Sequence, residues 1–90
     1  MAQVAESGSP KLLTGSGVVS LVSGTLLGFY VNSTTAGTIV IGNGTDSTAT
    51  AVSGTITPGI GWHGFPAYLT DGCYATIANT LNVTLFFAAG

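Results

Sequence analysis

The residues able to do chemistry in this sequence are few: one histidine, one cysteine and three acidic side chains. A nucleophilic site would have to combine Cys73, His63 and Asp71, because a thiol needs a base that a third group orients. Asp71 and Gly72 form a pair typical of a tight turn, which separates Asp71 from the strand predicted to begin at Cys73. A zinc site needs about three protein ligands, and the same few side chains would be the whole supply. The sequence therefore predicts no catalytic residues, no metal, no cofactor and no enzymatic activity.

One stretch gathers aromatic side chains, the segment GIGWHGFPAY at positions 59–68. Trp and Tyr are favoured anchors of protein interfaces. Three roles fit this segment: a plug at one end of the core, a subunit or partner interface, or contact with a small ligand or glycan. Leu12 and Leu13, near the N-terminus, could anchor the stretch that contains them, residues 1–16, onto a surface. The candidate interface residues are Leu12, Leu13, Trp62, His63, Phe65 and Tyr68.

Charge is almost absent from the chain, which has 4% charged residues and a formal net charge of −2. An ordinary soluble domain has about 25% charged residues. Without a basic patch there is nothing to neutralise phosphates, which excludes nucleic-acid binding. A surface of Thr, Ser and Gly also carries little charge repulsion against association. We therefore predict a homo-oligomer or other long-lived assembly in which partners cover part of the surface.

The sequence contains neither the pattern of a signal peptide nor that of a membrane-spanning segment. The first ten residues are polar and lack the charged and apolar regions of a signal peptide. The most apolar run, residues 18–32, is interrupted by Ser and Gly and falls short of the about 20 apolar residues that a membrane span needs. Three Asn-X-Ser/Thr sequons are interpreted as turn and strand residues. The sequence predicts no membrane partner.

The order of strand and turn signals predicts an all-β protein. Residues 1–16 show neither a strand nor a helix period and are interpreted as a flexible N-terminal arm, and residues 17–90 as a single β domain. Short β-rich runs then alternate with turn sequences about every 8–12 residues. They predict about seven short antiparallel strands in a small β-sandwich or barrel, jelly-roll-like in form. Turns are predicted at 32–37, 42–47, 71–72 and 79–80, a strand at 48–57, and a strand-breaking loop at 58–66.

Three stretches carry a resemblance to a known class of proteins: GTLLGFYVNSTTAGTIVIGNGT, ITPGIGWHGFP and DGCYATIANTLNVTLFF. Together they resemble small all-β structural proteins of tailed bacteriophages, most of all the capsid decoration or cement type. The resemblance implies a virion component on the outer capsid surface, assembled in the bacterial host cytoplasm. It also implies an oligomer, commonly a trimer, that braces neighbouring copies of the major capsid protein. No catalytic residues follow from it.

Other functions stay open beside this one. A tail, fibre or head–tail component would have the same all-β, weakly charged character, as would a free-standing fibre-forming protein. A glycan-binding module would use Trp62, Tyr68 and Asp71, and it requires exposed aromatic rings flanked by free Asn or Asp. A fully buried Trp62 would argue against that function.

Overall fold

The computed structural model describes residues 9–90, in which all the regular structure is β-strand. The strands form one antiparallel sheet, so the predicted all-β, antiparallel class is confirmed. None of the described residues forms a helix that could span a membrane. The strands are β1 (Ser9–Leu13), β2 (Gly17–Ser20), β3 (Gly24–Asn43), β4 (Thr50–Ala51), β5 (Gly61–Leu69) and β6 (Cys73–Ala89), six where the sequence predicts about seven.

The two long strands β3 and β6 form the centre of the sheet. They pair along almost their whole length, from Gly24 opposite Ala89 to Gly42 opposite Tyr74. At one end β5 pairs with β3 and β1 with β6, which gives a first half of the sheet with the order β1-β6-β3-β5. At the other end β2 pairs with β6 and β4 with β3, which gives a second half with the order β2-β6-β3-β4.

The sheet bends sharply, because its connections are too short for a flat one. Leu69 pairs with Gly24 at one end of β3, yet a few residues later Tyr74 pairs with Gly42 at the other end. A straight strand as long as β3 would measure about 60–65 Å. The longest extent of the whole structure is 40 Å. The long strands therefore turn back at their middles and bring their ends together.

The bend lies where the sequence predicts two turns. A hairpin at 32–37 and a turn at 79–80 are both wrong, since β3 and β6 continue through these positions. Instead Ala36 and Asn79 adopt positive φ angles of 55° and 61°, and the ladder between the strands shifts register beside them. The amide Nδ2 of Asn79 donates a hydrogen bond to the Ala36 carbonyl oxygen at 2.9 Å. Turn-forming residues here bend a paired ladder and do not reverse the chain.

The predicted loop at 58–66 is also wrong in its larger part, which belongs to strand β5. Pro66 is compatible with a strand because β5 lies at the edge of the sheet, where the backbone nitrogen of a proline can face away from the ladder. The turn predicted at Asp71–Gly72 is present, and Gly72 has a φ of 115°. It does not join a hairpin, because β5 and β6 lie on opposite sides of β3.

Two predicted boundaries also change. Ser9–Leu13 belongs to the stretch predicted as a flexible arm, but it forms β1 and pairs with the end of β6. The first eight residues of that predicted arm lie outside the described residues. The strand predicted at 48–57 is reduced to Thr50–Ala51 and one isolated bridge further on.

The core lies on the inner face of the bent sheet and is continuous across both halves. The predicted alternation of the last strand is confirmed, with its odd-numbered residues buried from Leu81 to Phe87. In β3 the bulge between Leu26 and Gly28 keeps both Leu26 and Phe29 on the inner face, although they are three residues apart. The core consists of Leu13, Leu26, Phe29, Val31, Ile39, Ile41, Leu69, Cys73, Ala75, Leu81, Val83, Leu85 and Phe87.

Candidate functional site

Strand β5 places the predicted aromatic residues alternately on the two faces of the sheet. Trp62 and Tyr68 point outward, with 53% and 59% of their surface exposed. His63 points inward and stacks on Phe29 with the ring centroids 5.4 Å apart. Phe65 is half-buried and packs against the core. The segment is therefore a core plug on one face and an exposed aromatic surface on the other.

The two predicted leucines of β1 divide in the same way. Leu12 is 58% exposed, opposite Thr84 of β6, whereas Leu13 is buried opposite Val83. Of the six candidate interface residues, the structure brings Leu12, Trp62 and Tyr68 to one surface and turns the other three inward.

That surface contains two aromatic residues that were not among the candidates. Tyr30 of β3 is 44% exposed and lies between Trp62 of β5 and Thr84 of β6. Phe86 of β6 is half-buried on the same face, which the alternation of the last strand had indicated. No signal in the sequence ties Tyr30 to Trp62, because their pairing depends on β5 being a strand. We call this surface the outer aromatic face and define it as Leu12, Tyr30, Trp62, Tyr68 and Phe86.

The indole ring of Trp62 is held against the sheet by two neighbouring glycines. Gly28 of β3 and Gly64 of β5 are paired in register. A Cβ atom on Gly28 would lie 2.8 Å from the benzo edge of the indole, and one on Gly64 would lie 3.9 Å from its Nε1. The indole thus covers both glycines and meets Phe86, with ring centroids 5.7 Å apart and an interplanar angle of 64°. Glycines covered by an aromatic ring are a known stabilising arrangement in sheets.

Beside the rings lies a cluster of three polar side chains, which we call the amide cluster. The Nδ2 of Asn32 donates to Oδ1 of Asn82 at 3.0 Å and to Oγ1 of Thr84 at 3.2 Å. Thr84 is also the cross-strand partner of Tyr30. These bonds fix the orientation of all three side chains next to the outer aromatic face.

No charged side chain of residues 9–90 lies on the outer aromatic face. Of the three in residues 9–90, Lys11 lies on the opposite side of β1 from Leu12, and Asp46 and Asp71 lie in turns. Asp46 accepts hydrogen bonds from the hydroxyl and the backbone N–H of Thr48, which lower the pKa of its carboxyl. Asp71 is bound through its backbone N–H to Oδ1 of Asn43, at 2.8 Å. The outer aromatic face is therefore neutral.

The predicted reactive residues do not form a nucleophilic centre in residues 9–90. Cys73 is buried in the core, and this burial raises the pKa of its thiol from 9.0 to about 11. A protonated, inaccessible thiol is a poor nucleophile. In the same part of the chain, no three His, Cys, Asp or Glu side chains lie together as metal ligands would. What the arrangement offers chemically is a binding surface.

The buried thiol leads to a testable prediction. At pH 8, Cys73 in the folded protein should react with a thiol reagent such as DTNB on the order of a hundredfold more slowly than in concentrated guanidinium, because two pKa units separate the thiolate fractions. The contribution of Cys73 to stability should be constant below about pH 9 and fall between about pH 9 and 11, where this thiol ionises only in the unfolded chain. A Cys73→Ala variant should lose this alkaline dependence. Equal reaction rates in the two states would show that the thiol is accessible.

Comparison of the chain with protein-family models, with curated proteins and with solved structures finds no match in any of the three.

Proposed function

We propose that this protein is a non-enzymatic structural component of a bacteriophage virion, of the capsid decoration or cement type. In this role a homo-oligomer, with a trimer favoured, sits on the outer capsid surface and braces neighbouring copies of the major capsid protein. The chain is made and assembled in the cytoplasm of the bacterial host. Its contribution is mechanical and needs no cofactor.

One observation carries this proposal: the described surface is rich in exposed apolar side chains and almost free of charge. A contiguous patch of exposed apolar residues on a small domain usually marks a contact surface. With few charges to desolvate, such contacts cost little electrostatic energy to form. Outside the outer aromatic face, the exposed large hydrophobic residues are Leu21, Val22, Val52 and Ile60, against three charged side chains in residues 9–90.

The fold suits a bracing role. The proposal includes the finer architecture expected from the sequence, a small jelly-roll-like sandwich or barrel. The bent sheet supports it, because β3 and β6 carry core residues from both halves into one cluster. A domain closed in this way is compact, and its loops and outer faces remain free for contacts. Many weak contacts per copy, repeated over a shell, would resist internal pressure through avidity.

The test has two parts. Light scattering on a sizing column, at several concentrations, should give a closed oligomer, with three times 8.9 kDa for a trimer. The purified protein should also co-sediment with virions of the phage that encodes it after the virions have been stripped of their own copies. A monomer that fails to bind stripped virions would overturn the proposal. Antibody labelling confined to the tail would instead assign the protein to a tail, fibre or head–tail position.

A further inference from the structure

We propose that the outer aromatic face, together with the amide cluster, is a binding platform for a neutral polysaccharide. This site lies beyond the bracing function and does not depend on it, since it needs only the folded chain. The ligand class follows from the chemistry of the face: aromatic rings to cover the apolar C–H faces of sugar rings, and amide and hydroxyl groups for their hydroxyls.

The first argument is that the main ring is already fixed in place. The indole of Trp62 rests on the Gly28–Gly64 pair with Phe86 against it, and yet half of the side chain remains exposed. A core residue would be less exposed than Trp62, and an ordinary surface residue would not pack against glycines that leave room for its ring. A ring held against a sheet with about half of the residue's surface in solvent presents a preformed contact surface, which lowers the entropy cost of binding.

The second argument is the hydrogen-bonding capacity that remains in the amide cluster. Asn32 uses its Nδ2 within the cluster, so its Oδ1 is left as an acceptor. Asn82 uses its Oδ1, so both hydrogens of its Nδ2 are left as donors, and Thr84 keeps its hydroxyl hydrogen. Acceptor and donors are oriented together beside Tyr30. A polyhydroxylated neutral ligand can use both kinds of group at once.

The third argument concerns the size and shape of the face, which favour a polysaccharide over a second protein. Three strand spacings and the length of β5 give a face on the order of 400 Å², about half of the 800 Å² that each partner buries in a standard protein interface. The strands at its two edges contain Pro10 and Pro66, which hinder extension of the sheet by another chain. Trp62 and Tyr68 lie about 20 Å apart along β5, a distance suited to several linked sugars.

Asp71, which the sequence grouped with Trp62 and Tyr68 in a glycan site, lies outside this face. It belongs to the turn that follows β5, where its backbone is bound to Asn43. The polar partners of the rings are therefore amides and a hydroxyl from β3 and β6.

The experiment uses the full chain and four neutral probes: a mixed-linkage β-glucan, a galactomannan, an α-mannan and a dextran. Native gels containing each polysaccharide should show retardation by at least one of them. Trp62 is the only tryptophan, so titration with oligosaccharides of that polymer should shift its emission to the blue. Trp62→Ala, Tyr68→Ala and Asn82→Ala should each weaken binding at least about tenfold, as loss of a central contact does. Leu21→Ala, which removes an exposed apolar side chain elsewhere, should bind as the parent does.

Two results would overturn the inference. One is the absence of retardation by all four probes, with each variant shown to be folded by its unfolding transition. The other is that Trp62→Ala or Tyr68→Ala lowers the solution mass of an oligomer while leaving sugar retardation unchanged, which would make the face a subunit contact. Failure of sugar binding leaves binding to stripped virions untouched, so the two proposals can fail separately.

Discussion

Replacing Phe29 with alanine should lower the free energy of unfolding by about 3–5 kcal/mol, the usual cost of removing a buried aromatic ring. Phe29 is 1% exposed, lies between His63 of β5 and Leu85 of β6, and stacks on the His63 ring. A domain of this size has a total stability of roughly 5–14 kcal/mol, so the loss is a large part of it. Urea denaturation followed by circular dichroism would measure the change.

The matched control is the next residue in the chain. Tyr30 points to the other face, so Tyr30→Ala should cost less than about 1 kcal/mol, the value of a cross-strand pair. If the two substitutions cost the same, or if Tyr30→Ala cost more, the two faces of β3 would be exchanged. That result would contradict both the bulge and the position of Tyr30 on the outer aromatic face.

Strict alternation is the part of this fold that can be predicted from the sequence. In β6, the odd-numbered residues from Leu81 to Phe87 alternate with Asn82, Thr84 and Phe86. A two-residue period assigns each set to the face of the sheet on which the structure has it. The all-β class follows from the same pattern and from the density of turn residues. Here local chemistry and the final structure agree, because both bulges in this part of the ladder insert their extra residue into β3 and leave the alternation of β6 regular.

The architecture of β3 cannot be predicted in the same way. A period of two places Leu26 and Phe29 on opposite faces, and only the bulge between them brings both into the core. The sequence NSTTAG has the chemistry of a hairpin, and the residues that allow positive φ do bend the chain there. Whether such a segment reverses a strand or bends a paired one depends on the partner strand, in this case on Asn79 far along the chain.

The candidate site was predictable only in its residue types. Trp62 and Tyr68 stand out because aromatic residues gather in the segment 59–68, and both are exposed. Two prolines and several glycines around them indicate a loop, whereas an edge strand accepts the same residues. Once β5 is known to be a strand, its alternation separates Trp62 from His63, and its pairing with β3 adds Tyr30 to the site.

Replacing Gly28 with alanine should lower the free energy of unfolding by about 2–4 kcal/mol, because overpacking and a strained backbone both contribute. The new Cβ would lie 2.4 Å from the carbonyl oxygen of His63 and 2.8 Å from the indole of Trp62. The φ of Gly28 is 155°, at the limit of what other residues adopt. Since the His63 oxygen is backbone, the β3–β5 ladder must shift as well as the ring. Emission from Trp62 should move to the red as its ring leaves the sheet, and sugar binding should weaken with it.

Gly64→Ala is the control. It distinguishes the specific effect of close packing at Gly28 from a general effect of replacing glycine with alanine in these strands. Gly64 pairs with Gly28 under the same ring, but a Cβ there would lie 3.9 Å from Trp62 Nε1, an ordinary van der Waals contact. The stability of this variant should change by less than about 1 kcal/mol, and its emission should match that of the parent, because the added methyl makes only this ordinary contact. If both variants behaved like the parent, the indole would not rest on Gly28, and the platform would be no more than an exposed side chain. A large loss at Gly28 alone, accompanied by the red shift, would mean that the glycine is required because the carbonyl oxygen of His63 and the indole of Trp62 together occupy the space its side chain would fill.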